Sequence, residues 1–133
     1  MTMSTPEPWP QDPPALARTF RLPMGLGSPG RARELIRGAL TGCSEGTIAT
    51  AQLLVSELVT NAVLHAGPPL ALNVQREGDL IRIVVTDGSS THPLARTIRA
   101  DAAGGRGLPL VEALSCSWGW HVGGSGKSVW FEL

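Results

Sequence analysis

Residues 55–66 read Val-Ser-Glu-Leu-Val-Thr-Asn-Ala-Val-Leu-His-Ala, an apolar helical pattern that carries an acid and an amide four residues apart. On a helix that spacing stacks Glu57 and Asn61 on one face. With Leu58 at the centre of the apolar arc, Ala51, Leu54, Val55, Asn61 and Ala62 fall close to it. Glu57 lies at the rim, about 100° away. Ser56 and Thr60 point the opposite way, toward water. An amide inside an apolar arc is costly unless something hydrogen-bonds it. The pattern therefore predicts a cavity with polar contents beside this helix.

The chain has 133 residues, enough for one domain with a real core. Lys plus Arg and Asp plus Glu both number 11, so no basic field points to direct nucleic-acid binding and no acidic tail is present. No apolar run is expected to reach membrane-spanning length, and the amino terminus lacks a signal-peptide pattern. Cys43 and Cys116 lie far apart without metal-ligand spacing, and their neighbourhoods read as half-buried, which fits reduced core thiols. A soluble, cytoplasmic protein with no membrane partner is expected.

Residues 1–14 hold five prolines and little that could pack, and are expected to form a disordered leader before a domain over 15–133. A short strand is expected over Arg18–Leu22. Ser28-Pro29 then supplies a cap and a first-turn proline for a helix reaching about Leu40, ended by Gly42. Ser44 caps the next helix, which carries the opening pattern and stops at Gly67-Pro68-Pro69. Strands over Leu70–Arg76 and Leu80–Thr86 flank a turn at Glu77-Gly78-Asp79. After residues 88–105, which show no clear period, a short helix over Leu108–Leu114 has Pro109 in its first turn. Strands over Ser117–Val122 and Lys127–Leu133 enclose a glycine-rich hairpin loop. Helices interleaved with hairpin-linked strands predict an α/β two-layer sandwich, a mixed, mostly antiparallel sheet covered on one face by helices. Trp118 and Trp120 share one face of their strand, and Ser128, Trp130 and Glu132 share one face of theirs. Alternation does not say which faces are inward, but it leaves room for aromatic surface on the outer side.

Two readings of Glu57, Asn61 and His65 stand at this point. One is a helix with a solvated rim acid, a capping amide and a histidine near the carboxyl end, where a cation suits the dipole. The other makes Asn61 an oxygen ligand for a Mg²⁺ that also binds phosphates, with Glu57 as proton acceptor. Asp87-Gly88 closes a strand, and Asp87 is either a turn former or a pocket carboxylate accepting from an exocyclic amine such as that of adenine. Gly104-Gly105-Arg106-Gly107-Leu108-Pro109 leads into a helix. It is either a flexible connector or a phosphate cradle, with Arg106 as a charge-assisted donor. It is not a P-loop, because no Gly-Lys-Ser/Thr follows at the required spacing. Gly126-Lys127-Ser128 reads most simply as a hairpin exit.

The order of these fragments resembles the Bergerat-type ATP-binding fold of histidine kinases and related ATPases. More closely, Ser-Glu-Leu-Val-Thr-Asn-Ala-Val-Leu-His-Ala, Gly-Gly-Arg-Gly-Leu and Gly-Lys-Ser-Val-Trp-Phe-Glu-Leu are similar to the single-domain anti-sigma-factor serine/threonine kinases of bacteria. The resemblance covers roughly residues 18–133. It implies ATP between the motif helix and the Gly-rich lid, with Asn61 holding Mg²⁺ and Glu57 as the catalytic base. It also implies that Asp87 accepts the adenine amine with help from the Ser128 hydroxyl, and that Gly105, Arg106, Gly107 and Leu108 wrap the phosphates. His65 matches the motif's closing histidine and is assigned no catalytic role. The implied partners are a sigma factor and an anti-anti-sigma protein phosphorylated on serine, and a homodimer is a further expectation. One departure is Ser89, where the wider superfamily often has a second glycine after the strand. A nucleotide-gated binding switch with little or no phosphotransfer is the alternative function. A detached sensor-kinase catalytic domain is disfavoured, since no helical hairpin with a phosphoacceptor histidine precedes the domain.

Overall fold

A computed structural model describes residues 16–89, 107–123 and 126–133. The expected leader over 1–14 lies outside the described residues. In chain order the elements are β1 (Leu16–Leu22), α1 (Ser28–Ala39), α2 (Glu45–His65), β2 (Leu70–Glu77), β3 (Leu80–Asp87), α3 (Gly107–Leu114), β4 (Ser117–Gly123) and β5 (Gly126–Glu132).

Local chemistry accounts for most of these boundaries. Ser44 caps α2 as expected, its hydroxyl oxygen accepting from the Thr47 amide at 3.1 Å. Glu45 adds an acid to the first turn, where the helix dipole favours it. At α1 the cap is Gly27 rather than Ser28. Ser28 is already helical and buried, and its hydroxyl donates to the Pro23 carbonyl instead. The turn between β2 and β3 uses Gly78 at φ +60°, a left-handed conformation that suits glycine.

The five strands form one sheet in the order β1-β2-β3-β5-β4, and every pairing among the described residues is antiparallel. Leu72, Ile83, Val85 and Phe131 point from the sheet toward the helices and join Leu54, Val55, Leu58 and Val59 of α2 in one core. Each fully buried aliphatic side chain of this kind contributes about 1.5–3 kcal/mol. Contrary to expectation, the 21-residue α2 is long and apolar enough by composition to cross a bilayer. Its apolar arc, from Ile48 to Ala62, is packed in this core.

The opposite sheet face mixes polar side chains with Ala71, Val84 and Trp130, and its polar groups are internally bonded. Asn73 donates to Thr19 at 2.8 Å, Gln75 donates to Asn73 at 2.7 Å, and the hydroxyls of Thr86 and Ser128 lie 2.9 Å apart. Register fixes what alternation left open. Trp118 and Trp120 pair with Phe131 and Val129 and turn inward, while Trp130 turns outward opposite Gly119. Even so, Trp130 is only 1% exposed. Its indole lies against the Gly119 backbone, and the Arg82 guanidinium sits 5.0 Å from its ring centroid. Little aromatic surface is therefore left on the outer side. Both cysteines are free thiols, but Cys116 is exposed rather than half-buried.

Candidate functional site

Asn61 lies on the penultimate turn of α2, half-buried, with its Oδ1 fully enclosed. That oxygen has no hydrogen-bond partner among the described residues. An enclosed carbonyl left unpaired costs about 1–3 kcal/mol, so Asn61 Oδ1 is open to a partner beyond the described residues. Glu57 stands one turn earlier and is also half-buried, at the rim of the arc. His65 is exposed at the carboxyl end, where its cation would suit the dipole.

Asp87 ends β3 with its side chain on the helix-facing side, below Ile83 and Val85, and is 2% exposed. Its Oδ1 accepts from the Ser89 amide at 2.8 Å. Its Oδ2 lies 3.1 Å from Nζ of Lys127, whose side chain is equally buried. Ser89 thus does with its backbone what a glycine at that position could also do. Lys127 is the residue that sequence reading missed. It shares a strand face with Val129 and Phe131, so a lysine at this inward phase was the available signal.

Glycines bring three backbone segments together around Asp87. The Gly88 amide donates to the Gly67 carbonyl at 2.7 Å, joining the exit of β3 to the exit of α2. A Cβ at Gly88 would lie 2.0 Å from the Pro68 carbonyl oxygen. A Cβ at Gly126, where φ is +144°, would lie 2.0 Å from that of Asp87. These approaches place the carboxyl-terminal end of α2, with Asn61, at the same end of the sheet as Asp87.

Ser128 does not join them. It pairs with Thr86 in register, and because successive strand residues point to opposite faces, its hydroxyl lies on the outer face, away from the Asp87 carboxylate. Gly105 and Arg106 lie outside the described residues. Gly107 and Leu108 open α3, which packs against α2 and β4. Among the cavities lined by described residues, two lie away from Glu57, Asn61 and Asp87. One of about 330 Å³ lies between Ser44, Arg76 and Leu133, and one of about 270 Å³ lies on the outer face at Asn73, Thr86 and Ser128.

No cluster of three or more His, Cys, Asp or Glu side chains suited to a metal exists among the described residues. A cation here would depend on few protein oxygens and on oxygens of a ligand. Mg²⁺ carried by phosphates has that requirement, and Asn61 Oδ1, without a partner among the described residues, fits it.

A sequence profile of the histidine kinase-like ATPase domain matches residues 26–133. Among solved structures, the chain is similar to the histidine kinase domain from the Erythrobacter litoralis EL346 blue-light activated histidine kinase. The TM-score is 0.53 at 23% identity, covering 84% of this chain and 61% of that one. That likeness is one of fold, and the chain spans about 61% of its length. A comparison with curated proteins finds no match. The five-stranded antiparallel sheet covered by helices is the Bergerat-type α/β arrangement. With most of its length matched, this chain belongs to the histidine kinase-like ATPase domain family, a kinase-like, ATP-binding fold.

Proposed function

We propose that the chain is an ATP-binding regulatory protein serine kinase that binds a sigma factor and phosphorylates an anti-anti-sigma partner on serine. The observation that carries the nucleotide reading is the enclosed Asn61 Oδ1, without a hydrogen-bond partner among the described residues and one helical turn from Glu57, in a fold of the ATPase family. The serine specificity and the partners rest on the resemblance of residues 56–66, 104–108 and 126–133 to anti-sigma-factor kinases.

In this reading Asn61 Oδ1 would hold a Mg²⁺, which would supply positive charge against that of the phosphates. Asp87, already an acceptor for Ser89 and Lys127, has lone pairs left for the exocyclic amine of adenine. Glu57 takes the proton of the acceptor serine as its oxygen bonds to the γ-phosphorus and the β–γ bridging oxygen leaves with ADP. Phosphoryl transfer needs positioning and charge neutralisation more than covalent help, and the lid residues Gly105, Arg106, Gly107 and Leu108 are assigned the phosphates.

Incubation with γ-labelled ATP and candidate acceptor proteins tests the proposal. Label on an acceptor serine is the expected result. Tight ATP binding without label on any acceptor would instead favour the nucleotide-gated switch. A cytoplasmic homodimer completes the proposal, and sedimentation showing only a 14.0 kDa species at high concentration would remove the dimer.

A further inference from the structure

The Asp87–Lys127 pair has a feature that binding a base does not by itself require. Both partners are nearly sealed from solvent, with side-chain exposures of 3% and 4%, and they face each other across the β3–β5 register. A carboxylate enclosed to this degree cannot stay charged and dry without a partner cation. Deprived of one, it is neutralised by a proton or wetted by rearrangement. A protonated carboxyl carries an O–H donor, whereas the ionised form only accepts. The state of Asp87 therefore decides which base edge it can read.

We propose that Lys127 is a positioning residue that holds Asp87 as a charged, acceptor-only carboxylate, making the site selective for a base with an exocyclic amine over one with a keto oxygen there. This rests on the reading that the site binds a nucleoside triphosphate with its base at Asp87. Lys127 acts through Asp87, since its ammonium is bonded to Oδ2 and its side chain is 4% exposed. The Ser89 amide on Oδ1 fixes the plane of the carboxylate from the other side. An amine at the base's 6-position then meets an acceptor, and a 6-keto oxygen meets a second acceptor and is repelled. Sites built around such a polar match discriminate strongly, because the wrong partner leaves enclosed groups unpaired.

The test is calorimetric titration of the full chain with ATP and with ITP, which differ in the 6-substituent and in the proton that accompanies the keto form on N1, both with Mg²⁺. The unsubstituted protein should prefer ATP by at least about tenfold. Lys127→Met should bring that preference below about threefold, and Lys127→Arg, which keeps the charge, should retain it. A merely structural lysine would lower both affinities by the same factor and leave the ratio alone; that result overturns the inference. Lys127→Gln keeps a donor to Oδ2 without the charge, so it decides the matter if the methionine variant does not fold. An ATP-to-ITP ratio unchanged in Lys127→Gln also overturns the inference while leaving the nucleotide reading intact. An unsubstituted protein that binds neither nucleotide removes the reading and the inference together.

Discussion

The amide of Gly88 donates to the carbonyl of Gly67 across 2.7 Å, so the chain leaving β3 is fastened to the chain leaving α2. The contact exists only because Gly88 has no side chain: a Cβ there would lie 2.0 Å from the Pro68 oxygen and 2.8 Å from the Gly67 oxygen. Both neighbours are backbone, so neither can rotate aside. Gly88→Ala should destabilise the fold by about 1–3 kcal/mol, the usual range for overpacking. At roughly 2–6 °C per kcal/mol for a domain of this size, the fall is readable by circular dichroism. The same variant should weaken ATP binding, because the displaced loop carries the Ser89 amide that orients Asp87. A melting point within a degree of the unsubstituted protein would show that the loops are not clamped.

Much of the fold was legible because it is written in short-range chemistry. The period of α2, its Ser44 cap and its stop before Gly67-Pro68-Pro69 need only neighbouring residues to decide them. What could not be read depends on register between distant strands. Ser128 was expected beside Asp87 because the resemblance places a hydroxyl near the base. Pairing of residue 87 with 127 and of 86 with 128 sends that hydroxyl to the far face and brings Lys127 in its place. Likewise, nothing local says that Trp130 is sheltered on the outer face, since the shelter is Gly119 on another strand together with Arg82 on a third. Asn61 sits between these cases. Its place in the apolar arc was readable, but the lack of a partner for its Oδ1 among the described residues is known only from the packed structure.

Gly119→Ala tests the outer face. An added Cβ would lie 2.6 Å from Cζ2 of Trp130, and the indole is 1% exposed with no open side to move into. The ring would have to leave its place beneath Arg82, which also pairs with Glu132. A loss of about 1–3 kcal/mol is expected, together with a changed near-ultraviolet tryptophan signal. Because Asp87 and Asn61 lie on the other side of the sheet, ATP affinity under folding conditions should change by less than about threefold. A large loss of affinity in a folded Gly119→Ala protein would contradict the separation of the two faces.

Asn61→Ala separates metal-dependent from metal-independent binding. Removing an enclosed acceptor that has no partner among the described residues relieves about 1–3 kcal/mol, offset in part by the cavity left behind, so the apo protein should melt close to the unsubstituted one. ATP affinity in Mg²⁺ should nevertheless fall by at least about tenfold, equivalent to about 1.4 kcal/mol. In chelator the two proteins should bind ATP equally. Titration calorimetry with and without chelator gives both numbers. Equal losses under the two conditions would mean that Asn61 serves the pocket's shape and not a cation.

Glu57 offers the sharpest division between a kinase and a passive switch. Its place at the rim of the α2 arc, one turn from Asn61, leaves it half-buried instead of packed in the core, so replacing it removes no part of the hydrophobic cluster. Glu57→Gln keeps the size and reach of the side chain, exchanges its charge and one acceptor oxygen for an N–H donor, and removes its ability to take a proton. General-base assistance contributes about 10²–10⁴-fold, so label transfer to an acceptor serine should fall by at least about a hundredfold. ATP affinity should stay within about threefold, since the carboxylate is assigned to the acceptor hydroxyl and not to the nucleotide. A parallel loss of affinity and transfer would make Glu57 a binding residue. Transfer that survives unchanged would place the base elsewhere, and the enclosed Glu112 Oε1 on α3, which has no hydrogen-bond partner among the described residues, would be the next carboxylate to replace.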